Sequence, residues 1–152
     1  MKSIIGKTMM LAVITAALFS FSTNFGGEGF EIFLNNKVVV QKFNKDIGNV
    51  NELLLNNVSP TDQLTIKYYH CGRVGKNRIV SIRDGQNKLL KEWHFADGSA
   101  ASIAMNCNVK DIISLRKNNN AVLKLYYSSS EIPNGRLLTN IVAANNSTVK
   151  LK

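Results

Sequence analysis

Hydrophobic and polar residues alternate along most of the chain beyond residue 30, and turn-forming residues interrupt the alternation at intervals of roughly eight to twelve positions. Between residues 63 and 71, for example, Leu64, Ile66 and Tyr68 occupy every second position. A period of two is typical of a β-strand with one face in a core, because successive side chains point to opposite faces. About eight such segments predict an all-β fold, either an antiparallel β-sandwich or a partly open barrel.

Two pairs of these segments are predicted to form hairpins. Strands at 30–34 and 38–43 flank a turn at Asn35-Asn36-Lys37, where asparagine tolerates the positive φ that a tight turn requires. Residues 78–95 turn at Asp84-Gly85-Gln86-Asn87. The other predicted strands are 63–71, 101–105, 121–127 and 136–143, with a loop at 133–135 and with 53–55 as either a strand or one helical turn.

One short helical turn is predicted near residues 108–115. Asn108 is a favourable N-cap, and Asp111 places a negative charge in the first turn. Ile112 and Leu115 are spaced so that both face one core.

The first 22 residues have the pattern of a secretory signal peptide. Lys2 and Lys7 provide a positive start, and an apolar stretch follows at residues 8–19. Ser20 and Ser22 then supply the small residues of a cleavage site. An uncleaved membrane anchor is the alternative, but the apolar stretch is shorter than the ~20 residues needed to cross a bilayer. We therefore expect a periplasmic or secreted protein with no membrane span after cleavage.

The mature chain, residues 23–152, is predicted to be a single β domain, because neither a fixed-period repeat nor a Pro/Ser-rich linker divides it. The whole sequence has 19 basic and 10 acidic residues, for a net charge of +9. Two of the basic residues, Lys2 and Lys7, belong to the signal segment, which leaves 17 against 10, or +7. This balance favours contact with anionic partners, and the alternative is ordinary solubility charge.

Cys71 and Cys107 are the only cysteines. In an oxidising compartment an even number of cysteines predicts a disulfide, so we expect these two to be bridged. Unpaired buried thiols are one alternative. A metal or catalytic site with His70 and His94 is another, but the four residues lack a ligand spacing, and adjacent residues on a strand point to opposite faces.

The strongest signal beyond the fold is a local excess of basic residues between Cys71 and Lys91. We predict that they form a binding surface on the second hairpin, at the edge of a sheet. Defence of an edge strand against aggregation would explain the same lysines. The predicted binding residues are Arg73, Lys76, Arg78, Arg83, Lys88 and Lys91, with Asp84 as the one acidic residue among them.

Catalytic motifs find little support in the sequence. Gly72 and Gly75 before Lys76 resemble part of a phosphate-binding loop, but two residues rather than four separate the glycines. Asp84 and Asp97 each precede a glycine, where aspartate forms turns. No catalytic residue, metal ligand or cofactor is predicted.

The sequence therefore favours an exported, non-catalytic binding or interaction module of the cell envelope or extracellular space over an enzyme. Its basic face would contact an anionic glycan, a lipid head group or a partner protein, and nucleic acid is not an expected partner. The alternative is a small exported hydrolase whose pair of carboxylates the sequence does not identify.

Overall fold

A computed structural model describes residues 27–55, 57–99, 103–116 and 121–142. Within these residues the chain forms nine β-strands, one short α-helix and one 3-10 helix. The strands build one sheet of four strands and one of five, which pack as a β-sandwich. The predicted all-β fold is confirmed, and the architecture is the sandwich.

The elements follow one another along the chain with short connections. The strands are β1 (Glu28–Leu34), β2 (Lys37–Phe43), β3 (Asn51–Leu54), β4 (Gln63–His70), β5 (Arg78–Arg83), β6 (Leu89–Phe95), β7 (Met105–Asn108), β8 (Leu123–Ser129) and β9 (Ile132–Val142). The 3-10 helix covers Asn44–Gly48, and the α-helix, α1, covers Val109–Ser114.

Each sheet keeps consecutive hairpin strands side by side. The four-stranded sheet has the order β2-β1-β4-β7 and is antiparallel throughout. The five-stranded sheet has the order β3-β9-β8-β5-β6 and is antiparallel except for the pair β3 and β9. Strand β6 therefore lies at an edge of its sheet, where the second hairpin was expected.

The first hairpin forms as its asparagines predict. Asn35 has a φ of 48° and Asn36 a φ of 67°, so both turn residues adopt the left-handed conformation. A two-residue turn of this kind matches the right-handed twist of the flanking strands. The helical turn is also where it was expected: Asn108 precedes α1, Asp111 is in its first turn, and Ile112 is buried.

Two details of the predicted strands are corrected, and the open choice at 53–55 is resolved as a strand. The strand expected at 101–105 is β7, which begins only at Met105, and residues 101 and 102 lie outside the described part. The segment at 53–55 contributes to β3, which pairs in parallel with β9. The loop expected at 133–135 lies inside β9, because register shifts in the β8–β9 hairpin accommodate Gly135 at a φ of 72°.

The core lies between the two sheets and is built from alternate residues of the central strands. Burying each of these side chains stabilises the fold by roughly 1.5–3 kcal/mol. The core side chains with at most 3% exposure on β1, β4, β5 and β8 are Phe30, Ile32, Leu64, Ile66, Tyr68, Val80, Ile82, Leu123, Leu125 and Tyr127.

The predicted disulfide is wrong, because Cys71 and Cys107 are both free, the first exposed and the second buried. Strand β7 pairs with the beginning of β4, where Cys107 lies opposite Leu64. Cys71 follows the other end of β4, seven positions after Leu64. Seven extended residues span about 23 Å, whereas a disulfide requires Cα atoms within roughly 7 Å of each other.

The predicted signal segment, residues 1–22, lies outside the described residues. Among the residues that the structure describes, no helix is long and apolar enough to cross a membrane.

Candidate ligand-binding cleft

The six predicted binding residues lie at both ends of the β5–β6 hairpin and do not form one surface. Arg73 and Lys76 are exposed in the connection before β5. Lys88 is exposed in the turn after β5. The five steps of extended chain from Arg78 to Arg83 separate the two ends by about 17 Å.

Arg78 is buried and has a structural role. Its side chain is only 6% exposed. The guanidinium donates from Nε and Nη2 to the carbonyl oxygen of Ala96, at 3.0 and 2.6 Å, and from Nη1 to the carbonyl oxygen of Ile103, at 2.9 Å. Arg78 thus fixes the chain that follows β6 and is not available to a ligand.

Arg83 and Lys91 are occupied by other contacts. The guanidinium carbon of Arg83 lies 4.7 Å from the centre of the Tyr126 ring. Lys91 Nζ lies 2.8 Å from Asp111 Oδ2 on α1. The hydrogen bond from Lys91 lowers the pKa of Asp111. Of the six cations, Arg73, Lys76 and Lys88 therefore remain exposed and free of side-chain partners within the described chain.

A cleft of about 330 Å³ opens beside Arg73, where β4 ends and the β8–β9 hairpin turns. We call it the His70 cleft. Strands β1 and β4 pair so that Glu28 lies directly opposite His70, which places both side chains at this end of the sandwich. The residues that line it are Glu28, His70, Cys71, Arg73, Glu131 and Ile132.

A tight turn positions Arg73 at the mouth of this cleft. Cys71 and Gly72 have φ values of 51° and 80°, and the Arg73 N–H donates to the carbonyl oxygen of His70 at 3.1 Å. Two consecutive left-handed residues reverse the chain, so Arg73 returns alongside His70.

The following loop is tied to the opposite wall of the cleft. The Lys76 carbonyl oxygen accepts the Ser130 N–H at 2.8 Å, and Asn77 Nδ2 donates to Ser130 Oγ at 2.8 Å. These bonds connect the loop before β5 to the β8–β9 turn, so both walls are held by the same network.

One carboxylate of the cleft, Glu28, is paired with the buried Tyr68 and the half-buried Arg136. Tyr68 Oη donates to Glu28 Oε1, and Arg136 Nη2 lies 3.0 and 3.2 Å from the two Glu28 carboxylate oxygens. Arg136 Nε also donates to Tyr68 Oη at 2.8 Å. Burial, together with the hydrogen bond to Glu28, raises the pKa of Tyr68. Glu28 is therefore a member of an internal ion pair rather than a free acid.

His70 is 7% exposed and forms the floor of the cleft. Its Nε2 lies 2.8 Å from Tyr127 Oη. Burial lowers the pKa of His70 and outweighs Glu131 and Glu28, which raise it, so the ring is neutral at pH 7. Burial also raises the pKa of Tyr127 to about 12.

Gly75 permits this close pair of rings. A Cβ atom at this position would lie 2.8 Å from His70 Nε2 and 2.9 Å from Tyr127 Oη. The backbone at Gly75 therefore packs directly against the hydrogen bond between His70 and Tyr127.

The second carboxylate, Glu131, is also satisfied within the protein. Burial acts to raise its pKa, but hydrogen bonds from Ser129 and from the backbone N–H groups of Lys76 and Glu131 outweigh it and lower the pKa overall. The Lys76 N–H lies 3.2 Å from Glu131 Oε2. Glu131 is thus a carboxylate at neutral pH and does not have the raised pKa of a general acid.

Arg73 differs from the other charged residues of the cleft, because its guanidinium makes no hydrogen bond or ion pair with any described side chain. A guanidinium without a partner beside a polar cleft is suited to a carboxylate or a sulfate, since its planar donors match two oxygens at once.

Sequence reasoning missed most of this site. The residues it did not identify are Glu28, Tyr68, Tyr127, Glu131 and Arg136. One signal was present: Tyr68 and Tyr127 occupy core-facing positions, where a buried hydroxyl requires a hydrogen-bond partner.

Neither a metal site nor a known family accounts for these residues. No three His, Cys, Asp or Glu side chains of the described ranges come together to hold a metal ion. Cys107 is in the core, whereas Cys71 and His94 are exposed. No protein-family model matches the chain, and a comparison with curated proteins finds no match.

Proposed function

We propose that this protein is an exported, non-catalytic binding module of the cell envelope or extracellular space, and that it holds the acidic end of an anionic glycan in the His70 cleft. The observation that carries the proposal is the state of the charges in the cleft. Glu28 and Glu131 are occupied by internal partners, whereas the Arg73 guanidinium has no partner among the residues that the structure describes. The charged group of the cleft that remains free to bind a ligand is therefore a guanidinium.

The surroundings of the cleft support an anionic ligand. Four cations lie in or next to it, namely Arg73, Lys76, Arg78 and Arg136, against the three carboxylates of Glu28, Asp97 and Glu131, which gives a local balance of 4 − 3 = +1. Such a local field raises the concentration of anions near the site and accelerates their association.

The size of the cleft favours the end of a glycan chain over a ligand with a large contact surface. At about 330 Å³ it lies at the lower limit of small-molecule sites, which run from roughly 300 to 1,000 Å³. One acidic sugar fits this volume, and the rest of a glycan would extend past the exposed Lys76.

Calorimetric titration tests the proposal with a heparin-derived oligosaccharide, an oligogalacturonate and a neutral oligosaccharide of equal length. We expect the first two to bind and the neutral one not to bind at this site. Binding should weaken as ionic strength rises from about 0.01 to about 0.15 M, because the Debye length falls from roughly 30 to 8 Å.

A pair of matched variants locates the site. Arg73→Gln should weaken binding by about tenfold or more, since a hydrogen bond to a charged group contributes about 1.5–3 kcal/mol. Lys88→Gln removes the same charge at the opposite end of the hairpin and should change affinity by less than about twofold. Equal effects of the two variants, or no binding of either acidic oligosaccharide, would refute the proposal.

A second candidate function rests on the presence of Glu28 and Glu131 in one cleft. A hydrolase would use one of them as an acid and the other as a base or nucleophile. The Arg136 ion pair and the lowered pKa of Glu131 count against this function. Release of reducing ends from the same oligosaccharides, abolished by Glu131→Gln, would establish the hydrolase instead.

A further inference from the structure

We infer that the outward face of the four-stranded sheet is a second binding surface, and that it takes a neutral glycan. This surface is separate from the His70 cleft and does not depend on it. We call it the outer face of the four-stranded sheet. Its residues are Gly29, Glu31, Phe33, Val38, Gln41, Phe43, Gln63, Thr65, Lys67, Tyr69, Asn106 and Asn108.

Strand register places these residues on one side. Residues that lie directly opposite each other in antiparallel strands share a face. Ile32 and Ile66 are such a pair and are fully buried in the core. Their neighbours Phe33 and Thr65 therefore point outward, and Thr65 in turn lies opposite Asn106 on β7.

A groove of about 440 Å³ runs over this face. Its polar groups are mainly amides and a hydroxyl, which both donate and accept hydrogen bonds. Thr65 Oγ1 donates to Asn106 Oδ1 at 2.8 Å, so the Asn106 amide group is oriented, and no described residue accepts a hydrogen bond from its Nδ2. The groove is lined by Phe33, Asn36, Gln63, Thr65, Lys67, Ala104 and Asn106.

Aromatic rings lie at both ends of the face. Phe33 is in the groove, and Phe43 contacts Tyr69 with ring centres 5.5 Å apart. Gly29 makes the second contact possible, because a Cβ atom there would lie 2.0 Å from Phe43 Cδ1. Four positions along β4 separate Thr65, the partner of Phe33, from Tyr69, a distance of about 14 Å. The face therefore has room for more than one sugar ring.

The charges of the face balance, so the face as a whole has no net attraction for an anionic ligand. Glu31 and Lys67 are the charged residues among the outward-facing positions of these four strands. Glu31 accepts hydrogen bonds from Gln41 at 2.8 Å and from Tyr69 Oη at 2.6 Å, and Lys67 Nζ lies 5.0 Å from the centre of the Phe33 ring. A nucleic acid would require a net positive surface.

A neutral glycan matches this combination of groups. Each sugar ring has an apolar C–H face, which packs against an aromatic ring, and an edge of hydroxyl groups, which pairs with amides. The arrangement of Phe33 beside Asn36, Gln63 and Asn106 provides both kinds of contact. Neither the outer face of the four-stranded sheet nor a neutral glycan carries a net charge. The face therefore favours a neutral glycan over the acidic glycan proposed for the His70 cleft.

Native affinity electrophoresis in gels containing hydroxyethylcellulose, galactomannan or xylan tests the inference. We expect at least one of these polymers to retard the full mature chain. Asn106→Ala should weaken retardation by about tenfold, and this exposed substitution leaves the core untouched. Phe33→Ala should have at least the same effect.

Arg73→Gln is the control, because it alters only the His70 cleft and should leave retardation unchanged. Loss of neutral-polymer binding in Arg73→Gln, no retardation in any of the three gels, or retardation that survives both Phe33→Ala and Asn106→Ala would overturn the inference. Failure of acidic oligosaccharides to bind would refute the cleft proposal alone.

Discussion

The two ends of the β5–β6 hairpin carry a similar number of cations but use them differently. At the end where β5 begins, Arg78 is buried among carbonyl groups, and Arg73 is exposed beside a polar cleft. At the other end, Arg83 packs on Tyr126, and Lys88 projects from a turn. Local density of charge along the sequence therefore does not show which cations remain available to a ligand. What distinguishes the first end is a tight turn that places Arg73 beside a cleft, in which Glu28 is already paired with Arg136 and Tyr68.

The largest expected effect separates Arg78 from Arg83. Arg78→Gln removes a buried guanidinium that satisfies two carbonyl groups, so the free energy of unfolding should fall by about 2–4 kcal/mol. Arg83→Gln removes a cation–π contact and should cost about 1 kcal/mol or less. Urea denaturation of both variants measures the difference. Equal losses would mean that the two ends are not structurally distinct.

A smaller effect should distinguish two glycines at the same two ends. Gly75→Ala forces a Cβ atom against His70 and Tyr127, and we expect a loss of about 1–3 kcal/mol. Gly85→Ala meets no atom within 4 Å and should change stability by less than about 0.5 kcal/mol. Thermal and urea unfolding would check this pair. A neutral Gly75→Ala would contradict the close packing behind the cleft.

The cleft end should also give the protein a dependence on pH. Burial lowers the pKa of His70 below its ordinary 6.5. Between the folded and unfolded pKa values the unfolded chain binds more protons, so stability is full above about pH 6.5 and decreases as pH falls below it. The decrease should disappear in His70→Gln and persist in His94→Gln, an exposed histidine on β6. Urea unfolding at a series of pH values between about 7 and 5 measures it, and an unchanged decrease in His70→Gln would contradict the assignment.

Substitution of the exposed thiol should have the smallest effect on stability. Cys71 is exposed at the cleft and should react at once with a thiol reagent, whereas Cys107 is buried and its pKa is raised by burial to about 12. We expect one reactive thiol in the folded protein and two after denaturation, with no change in stability for Cys71→Ser. A heparin-derived oligosaccharide should slow the reaction of Cys71. If neither sulfur reacts in the denatured, non-reduced protein, Cys71 and Cys107 are bridged after all.

Sequence reasoning succeeded where the determinants are local. The alternation around Leu64 and Ile66, the paired asparagines at 35 and 36, and the sequence from Asn108 to Ile112 all involve residues within a few positions, and each element formed. The Asn108 side chain, however, makes no capping hydrogen bond. The loop expected at 133–135 failed because Gly135 is accommodated inside a strand by a register shift with β8, which is a property of two strands and not of one.

The sequence did not reveal the His70 cleft for a related reason. Glu28 is 40 positions from Tyr68 and 108 from Arg136, so their network depends on the order and register of strands in both sheets. The failed disulfide has the same cause, since the pairing of β4 with β7 decides the distance between Cys71 and Cys107. One error could have been avoided from the sequence alone. Arg78 and Arg83 are five positions apart on a strand, and residues separated by an odd number of positions point to opposite faces, so the two cannot share one binding surface.

A chemical-shift titration of the isotope-labelled protein with a heparin-derived oligosaccharide tests the central claim most directly, because it reports both ends of the hairpin in one experiment. The account predicts that the backbone amides which shift belong to His70, Arg73, Lys76 and Glu131, and that the shifts decrease as salt is added. Shifts centred on Arg83 to Lys88, with none around His70, would contradict it.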